Sequence, residues 1–245
     1  EKYTQWWPAD AHLIGKGILR FHAVYWPAFL LSAGLDLPKS IIVHGYVTAD
    51  GKKMSKTVGN VIDPFTLIEN YGVDAVRYYL LREIPSGEDG DFSYEKFEQR
   101  YNGDLANGIG NLVARVATLG EKISPIRVAD AHLEDPVRSA LQGIAVRYQK
   151  FIDEFRLNDA LGIIGELISI GDKYINDQKP WAISDDTDLR RIIGNASQLI
   201  GAIAHHIVPF LPETAIKINE QITVGETEII IKKGANLFPR LDKKS

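Results

Sequence analysis

The longest regular pattern in the chain lies between Ser93 and Leu119, where Phe97, Tyr101, Leu105, Ile109, Leu112, Val116 and Leu119 recur at three- and four-residue steps. That spacing predicts one helix of about seven turns with a single apolar face. Gly103, Gly108 and Gly110 fall inside it. Each costs about 1 kcal/mol relative to alanine, which close packing against a neighbouring element would explain. Three further stretches share the period. Pro136 to about Phe155 presents Leu141, Ile144, Tyr148 and Ile152; a run capped by Asn158 continues through Ile175; Leu189 to Phe210 presents Ile192, Ala196, Leu199, Ile203 and Ile207. The second run must end before Pro180, because a residue preceding proline is pushed out of the α region. Pro209 and Pro212 force a bend before a last short helix. Such helices joined by short loops predict an antiparallel bundle.

The first third of the chain reads differently. IGKGILRFHAVYWPAFLLSAG is helical by period, with Ile18, Phe21, His22, Tyr25, Phe29 and Leu30 on one face and Gly34 as the stop. SIIVHGYV is short, β-branched and apolar, and runs into Asp50-Gly51, a hairpin turn pair. Asp63 and Pro64 fit the N-cap and first position of a short helix stopped by Gly72, and Asp74 to Arg82 continues as another. A helix feeding a buried strand is the α/β pattern of a nucleotide-binding sheet, of which only the tail falls here. The expected fold is therefore mainly α with a small α/β part. EKYTQWWPADAHLIGKGILRF carries no start signal or cap, which suggests a piece of a larger domain. The tail GANLFPRLDKK is polar, with Leu237 and Phe238 as anchors. Internal repeats and low-complexity tracts are absent.

Composition narrows the chemistry. The 245 residues, 45% hydrophobic and 24% charged, suit a globular protein with a sizeable core. Cysteine is absent, so these residues hold no disulfide framework, thiol nucleophile or cysteine zinc site. No apolar run reaches the roughly 18 to 20 residues that span a bilayer, and no secretion signal is present. A cytoplasmic protein without a membrane partner is expected. The net charge of −4 argues against non-specific coating of nucleic acid and leaves room for a local basic surface.

Candidate chemistry concentrates in TADGKKMSKTVGN, residues 48 to 60. It reads either as an exposed turn or as a mobile phosphate clamp. For the clamp, Lys53 and Lys56 supply compact charges on flexible stems, and Gly51 and Gly59 permit loop closure. Ser55 and Thr57 add hydroxyl donors, and Met54 can tuck beneath the loop. A Walker A motif is not matched. Elsewhere, His205-His206 reads as structural, because adjacent helical residues point about 100° apart. Asp185-Asp186-Thr187-Asp188 reads as a helix-start cap rather than a metal site.

Lys53-Met54-Ser55-Lys56-Thr57, leaving a strand that ends in His44-Gly45-Tyr46, resembles the KMSKS loop of class I aminoacyl-tRNA synthetases, with Thr in the last position. WPADAHLIGKGILRFHAVYWPAFL before it and YGVDAVRYYLLREIPSGEDGDFS after it are similar to methionyl-tRNA synthetases, as are GDLANGIGNLVARV, NDQKPW, IVPFLPETA and LFPRL. The resemblance covers essentially the whole chain. It implies the end of a Rossmann-type catalytic domain over 1–62, a stem-contact segment and the start of the long helix over 63–115, an anticodon-binding bundle over 116–233, and a tail over 234–245. It also implies ligation of L-methionine to its tRNA through methionyl-adenylate, with ATP and Mg2+ as substrate and no metal site in this chain.

By that resemblance Lys53 and Lys56 steady the triphosphate, and the backbone of His44, Gly45, Tyr46 and Val47 lies against the adenine, with Met54, Ser55 and Thr57 completing the ATP loop. Phe21, His22 and Trp26 match the methionine pocket, where aromatic faces suit a thioether; on residue type alone Phe21 and Trp26 read as core and His22 as a satisfied core histidine. Asn111, Arg115 and Trp181 match positions that contact the CAU anticodon, where amide, guanidinium and an exposed ring suit splayed bases; without the match, Trp181 is a helix-capping anchor and Arg115 a surface ion pair. Gly17, in Gly15-Lys16-Gly17-Ile18, departs from the acidic residue the family has beside the ATP ribose. Nothing here resembles the HIGH motif or the inserted zinc knuckles, so the chain is expected to bind tRNA without activating methionine. A non-catalytic tRNA-binding module, or another class I synthetase such as the valyl enzyme, are the alternatives.

Overall fold

The computed structural model describes residues 2–55, 57 and 59–241. A first helix, α1 (Lys2–Trp6), leads to strand β1 (His12–Gly15), which the sequence pattern did not separate from the helix after it. Four residues are too few to display a strand period, and the partner lies 29 residues on. The chain then turns through a 3-10 segment (Lys16–Ile18) and a π-helical turn (Phe21–Tyr25) into α2 (Trp26–Ser32). Gly34, at φ +68°, reverses it toward β2 (Ile41–His44), which pairs parallel with β1 from His12↔Ile41 to Gly15↔His44. This is a crossover of the expected α/β kind.

The single strand expected over SIIVHGYV is two strands, β2 and β3 (Val47–Ala49), broken at Gly45. A Cβ there would stand 2.0 Å from the Glu88 carbonyl oxygen, so only glycine lets the two backbones pass. β3 folds back on β4 (Lys52–Lys53). Asp50 and Gly51 sit at φ +50° and +72°, the two left-handed positions a type I′ hairpin requires.

Asp63 accepts a hydrogen bond from the Phe65 amide at the start of α3 (Pro64–Tyr71), Gly72 ends it, and α4 (Val73–Glu83) follows. β5 (Gly90–Phe92) then lies parallel to β3, with Thr48↔Asp91 in register. Ser93 caps α5 (Tyr94–Arg100) through the Lys96 amide. The long helix continues as a π-helical stretch, Tyr101–Gly110, into α6 (Asn111–Gly120), with a kink at Gly108 (φ −84°, ψ −105°). Its stripe from Phe97 to Val116 is buried as predicted. At Gly110 a Cβ would meet the Leu105 carbonyl oxygen of the same helical stretch at 2.9 Å, with the tail's Phe238 amide nitrogen at 3.8 Å, whereas Gly103 faces open space, so close packing against a neighbouring element does not explain Gly103.

Beyond β6 (Ile126–Arg127), the bundle comprises α7 (Asp135–Asp153), α8 (Leu157–Gln178), α9 (Asp186–Ile207) and α10 (Pro212–Gln221), with α8 packed against both α7 and α9. Asn158 lies inside α8 rather than capping it; the chain enters through Arg156 without a side-chain cap. Lys179, left-handed at φ +47°, ends the helix before Pro180. The sequence pattern also missed a three-stranded antiparallel sheet in which β8 (Glu228–Ile231) lies between β6 and β7 (Ile222–Val224). Phe238 meets Tyr101 edge-on at 5.8 Å, and Asn102 bonds both ways to the Leu241 backbone, so the tail is strapped across the long helix.

Candidate functional site

The lysine loop emerges from the hairpin with Lys52 and Lys53 exposed, Met54 and Ser55 half-buried and Thr57 exposed. Lys56 lies outside the described residues. Asn60 closes the loop's base: its side chain accepts from the Ser55 amide at 2.9 Å and donates to the Lys53 carbonyl at 3.2 Å. Gly59, at φ +74°, donates to the Ser55 carbonyl. The turn itself is held from a distant segment. Asp91 accepts from the Thr48 hydroxyl at 2.6 Å and the Gly51 amide at 2.7 Å. Two residues earlier, Asp89 accepts from the Tyr46 amide at 2.8 Å and pairs with Lys16 at 3.1 Å. The Tyr46 amide, with Lys16, holds the Asp89 carboxyl below its usual range. The Thr48 hydroxyl and Gly51 amide do the same for Asp91.

His44, Tyr46 and Val47 are exposed beside this turn, and Gly45 is buried. Lys16 stands 5.9 Å over the Tyr46 ring. A Cβ on Gly17 would lie 2.9 Å from the Tyr46 hydroxyl, so a side chain at 17 would require the end of this exposed tyrosine to shift.

Phe21, His22 and Trp26 come together in an open depression of about 650 Å³, lined also by His12, Tyr25 and Phe29. The apolar face, which residue type alone reads as core and the resemblance reads as a pocket wall, is uncovered: Phe21 is 60% exposed and Phe29 68%, and only Leu30 of that set is buried. No described element lies over it, so these rings line a cavity instead of filling one. Trp7 meets Trp26 edge-on at 6.2 Å, and His12 meets His22 edge-on at 6.3 Å. His22 Nδ1 is 3.0 Å from the Ile18 carbonyl oxygen; with the proton on Nδ1, Nε2 remains as an acceptor.

On the long helix, Asn111 is exposed and Arg115 half-buried, one turn apart. Arg115 reaches α8, donating to Asn176 at 2.7 Å and pairing with Asp172 at 3.7 Å. Burial pushes the Asp172 carboxyl up while Arg115 opposes that shift. The guanidinium also stacks over Trp181 at 5.3 Å, and Trp181, on the turn Pro180–Ala182, is 55% exposed. The structure thus brings Arg115 and Trp181 into contact across 66 residues of sequence. Asp172, Asn176, Asp89 and Asp91 escaped sequence reasoning. Their i, i+4 and i, i+2 spacings were visible, but not the partners they face.

Of the histidine pair, His206 is tied into the bundle, its Nδ1 2.8 Å from the Ala202 carbonyl oxygen and its ring against Tyr148, while His205 is exposed; Asp185 caps α9 through the Thr187 and Asp188 amides. Among the described residues no group of three or more metal-ligating side chains occurs, and no helix is long and apolar enough to cross a membrane.

Residues 1–117 match the family model for tRNA synthetases class I (M). The chain is 38% identical over 264 residues to the methionine–tRNA ligase of Caldanaerobacter subterraneus subsp. tengcongensis, covering 99% of this chain and 41% of that protein. It is 40% identical to the methionine–tRNA ligase of Clostridium perfringens, again over 99% of this chain and 41% of the relative. Its fold superposes with a TM-score of 0.87 on a methionyl-tRNA synthetase of Mycobacterium tuberculosis in complex with methionyl-adenylate, at 36% identity, covering 98% of this chain and 52% of that one. The chain therefore spans less than half the length of these curated relatives.

Proposed function

The chain belongs to the methionyl-tRNA synthetase family of class I tRNA synthetases, and we propose that it is the C-terminal portion of a methionine–tRNA ligase. In this reading residues 1–62 close a Rossmann-type catalytic domain, 63–115 form a stem-contact segment and the start of the long helix, and 116–233 form an anticodon-binding bundle followed by the tail. The observation that supports it most is the continuous likeness, over 98% of the chain, to a synthetase holding methionyl-adenylate. The named relatives are methionine enzymes, which gives the valyl alternative no support.

The chemistry follows from the groups present. A methionine carboxylate oxygen attacks the α-phosphorus of ATP, the bond to the β-phosphate oxygen breaks, and pyrophosphate leaves, with Mg2+ balancing part of its charge. A hydroxyl of the terminal tRNA ribose then takes the methionyl group and AMP leaves. No protein nucleophile is needed, so catalysis rests on position and charge. Lys53, with Lys56, neutralises the triphosphate; the His44–Val47 backbone carries the adenine; Phe21, His22 and Trp26 hold the thioether. Asn111, Arg115 and Trp181 read the CAU anticodon, the indole by stacking and the other two by hydrogen bonds to base edges.

Two measurements test this. Trp181→Ala should weaken binding of methionine tRNA by about 5- to 150-fold, the range of one lost base stack; unchanged affinity removes the anticodon assignment. The 245-residue chain by itself should show no methionine-dependent pyrophosphate exchange, since only part of the adenylate-forming surface lies among its residues. Robust exchange would sink that part of the proposal and leave the tRNA reading intact.

A further inference from the structure

The lysine hairpin has very little of its own to hold it. β4 is the edge of the three-stranded sheet β4–β3–β5 and pairs with β3 at only two positions, Thr48↔Lys53 and Ala49↔Lys52, and so short a ladder adds little stability of its own. Lys52 and Lys53 make no ion pair among the described residues, and Gly51 and Asp50 adopt left-handed backbone that the turn needs. The direction in which Lys53 leaves the sheet is therefore set by whatever fixes the turn.

What fixes it comes from forty residues away. Asp91 accepts the Thr48 hydroxyl at 2.6 Å and the Gly51 amide at 2.7 Å through one carboxylate oxygen, and the Asp50 amide donates to the Phe92 carbonyl at 3.0 Å. One side chain thus holds the strand before the turn and the turn itself. Asp91 is in turn set by the core. The buried Tyr79 hydroxyl lies 3.3 Å from the Asp91 carbonyl oxygen and 3.4 Å from the Ser93 amide, and Lys96 approaches the second carboxylate oxygen at 4.0 Å.

We infer that Asp91 is a positioning residue for the phosphate-contacting lysine loop, acting through Thr48 and Gly51 to aim Lys53 at the triphosphate of ATP. This rests on the assignment of Lys53 proposed above. The sign of the effect separates positioning from plain electrostatics. A carboxylate near a triphosphate repels it, so removing the charge alone would tighten ATP binding. Removing the clamp lets the lysines wander, and a misplacement of about 1 Å costs on the order of 100-fold in rate.

The test is methionine-dependent pyrophosphate exchange in the complete synthetase that carries this segment, with Asp91→Ala, Asp91→Asn, Thr48→Val and Lys53→Ala compared. Asp91→Ala should lower kcat/KM for ATP by about 10- to 100-fold and leave KM for methionine unchanged. Asp91→Asn, which keeps an acceptor oxygen without its charge, should fall between Ala and the parent. If Asp91→Ala does not fold, Thr48→Val removes one of the two donors with the carboxylate in place, and should lower kcat/KM for ATP severalfold. A lower KM for ATP in Asp91→Ala, or kinetics unchanged in that variant while Lys53→Ala is impaired, overturns the positioning role and spares the lysine loop. Full activity of Lys53→Ala overturns the lysine assignment itself, and the role of Asp91 with it.

Discussion

Asp89 and Asp185 are exposed carboxylates and Asp91 a half-buried one, and their main partners are backbone amides or a hydroxyl supplied by other residues. The Tyr46 amide lowers the first, the Thr48 hydroxyl the second and the Asp188 amide the third. Each folded-state pKa lies below the unfolded value near about 3.9. The unfolded chain therefore binds more protons as pH falls through that value, and stability declines with it. The contribution is fully present above the unfolded pKa and is lost progressively below about pH 4. Thermal melts from pH 6 to pH 3 should show Tm falling through this window, with a shallower fall in Asp185→Asn. An equally steep fall in that variant would show that the cap carries no part of the acid sensitivity. At this scale the sequence was partly transparent. Asp185 announces itself by standing before a periodic run, whereas Asp89 and Asp91 look like ordinary acidic loop residues until β5 is laid against β3. A cap is a local decision; a clamp across 43 residues is not.

Glycines show how far an element's behaviour depends on what lies beside it. Gly103 and Gly194 both sit inside helices, and propensity alone treats them alike. Around Gly103 a Cβ would meet nothing within 4 Å, while at Gly194 it would stand 2.6 Å from the Ala131 Cβ. Gly103→Ala should therefore stabilise the fold by about 0.5–1 kcal/mol, and Gly194→Ala should destabilise it by about 1–3 kcal/mol through overpacking. Urea titrations of the pair read this directly, and a shared sign would mean that propensity, not packing, governs both. The same division explains which elements were legible. Helices opened by Asp63-Pro64, Ser93 and Asp185 carry their own start signals, and Asp50-Gly51 carries its turn chemistry. The β6–β8–β7 sheet joins Ile126 to Ile229, so no local window contains the pairing that makes it. The same holds for the candidate sites: KMSKT is readable as a run, but the Arg115–Trp181 stack forms only where the turn after α8 comes to lie beside α6.

Over the whole molecule, buried side chains are distributed unevenly. One continuous core runs from Leu67 in α3 to Phe238 in the tail, and it includes Ile192, Ile193, Leu199 and Ile203 at 0% exposure. Arg77 ties α4 to that core by donating to the Phe210 and Pro209 carbonyls at 2.7 Å, and the buried Asp74 carboxylate receives the Thr214 amide at 2.6 Å. Among the described residues ahead of residue 47 only Ile14 and Leu30 are buried apolar residues, against Leu13, Phe21, Phe29 and Leu31 at 60% exposure or more. The parallel pair β1–β2 is a two-stranded sheet, and such a sheet depends on packing against a face for its stability. Local opening free energy should therefore be low across residues 12–44 and approach the global value in α8 and α9. Hydrogen exchange on the isolated chain should show amides of β1, β2 and α2 exchanging at least about 100-fold faster than core amides of α9, a difference of roughly 2.7 kcal/mol in opening. If the exposed face is the methionine-pocket wall of a catalytic domain, as proposed, the complete synthetase should protect residues 12–44 far more strongly and leave α9 nearly unchanged. Equal protection in the isolated chain would mean that the first crossover is stable on its own contacts. The uncovered aromatic face would then be a surface in its own right rather than half of an enclosed site.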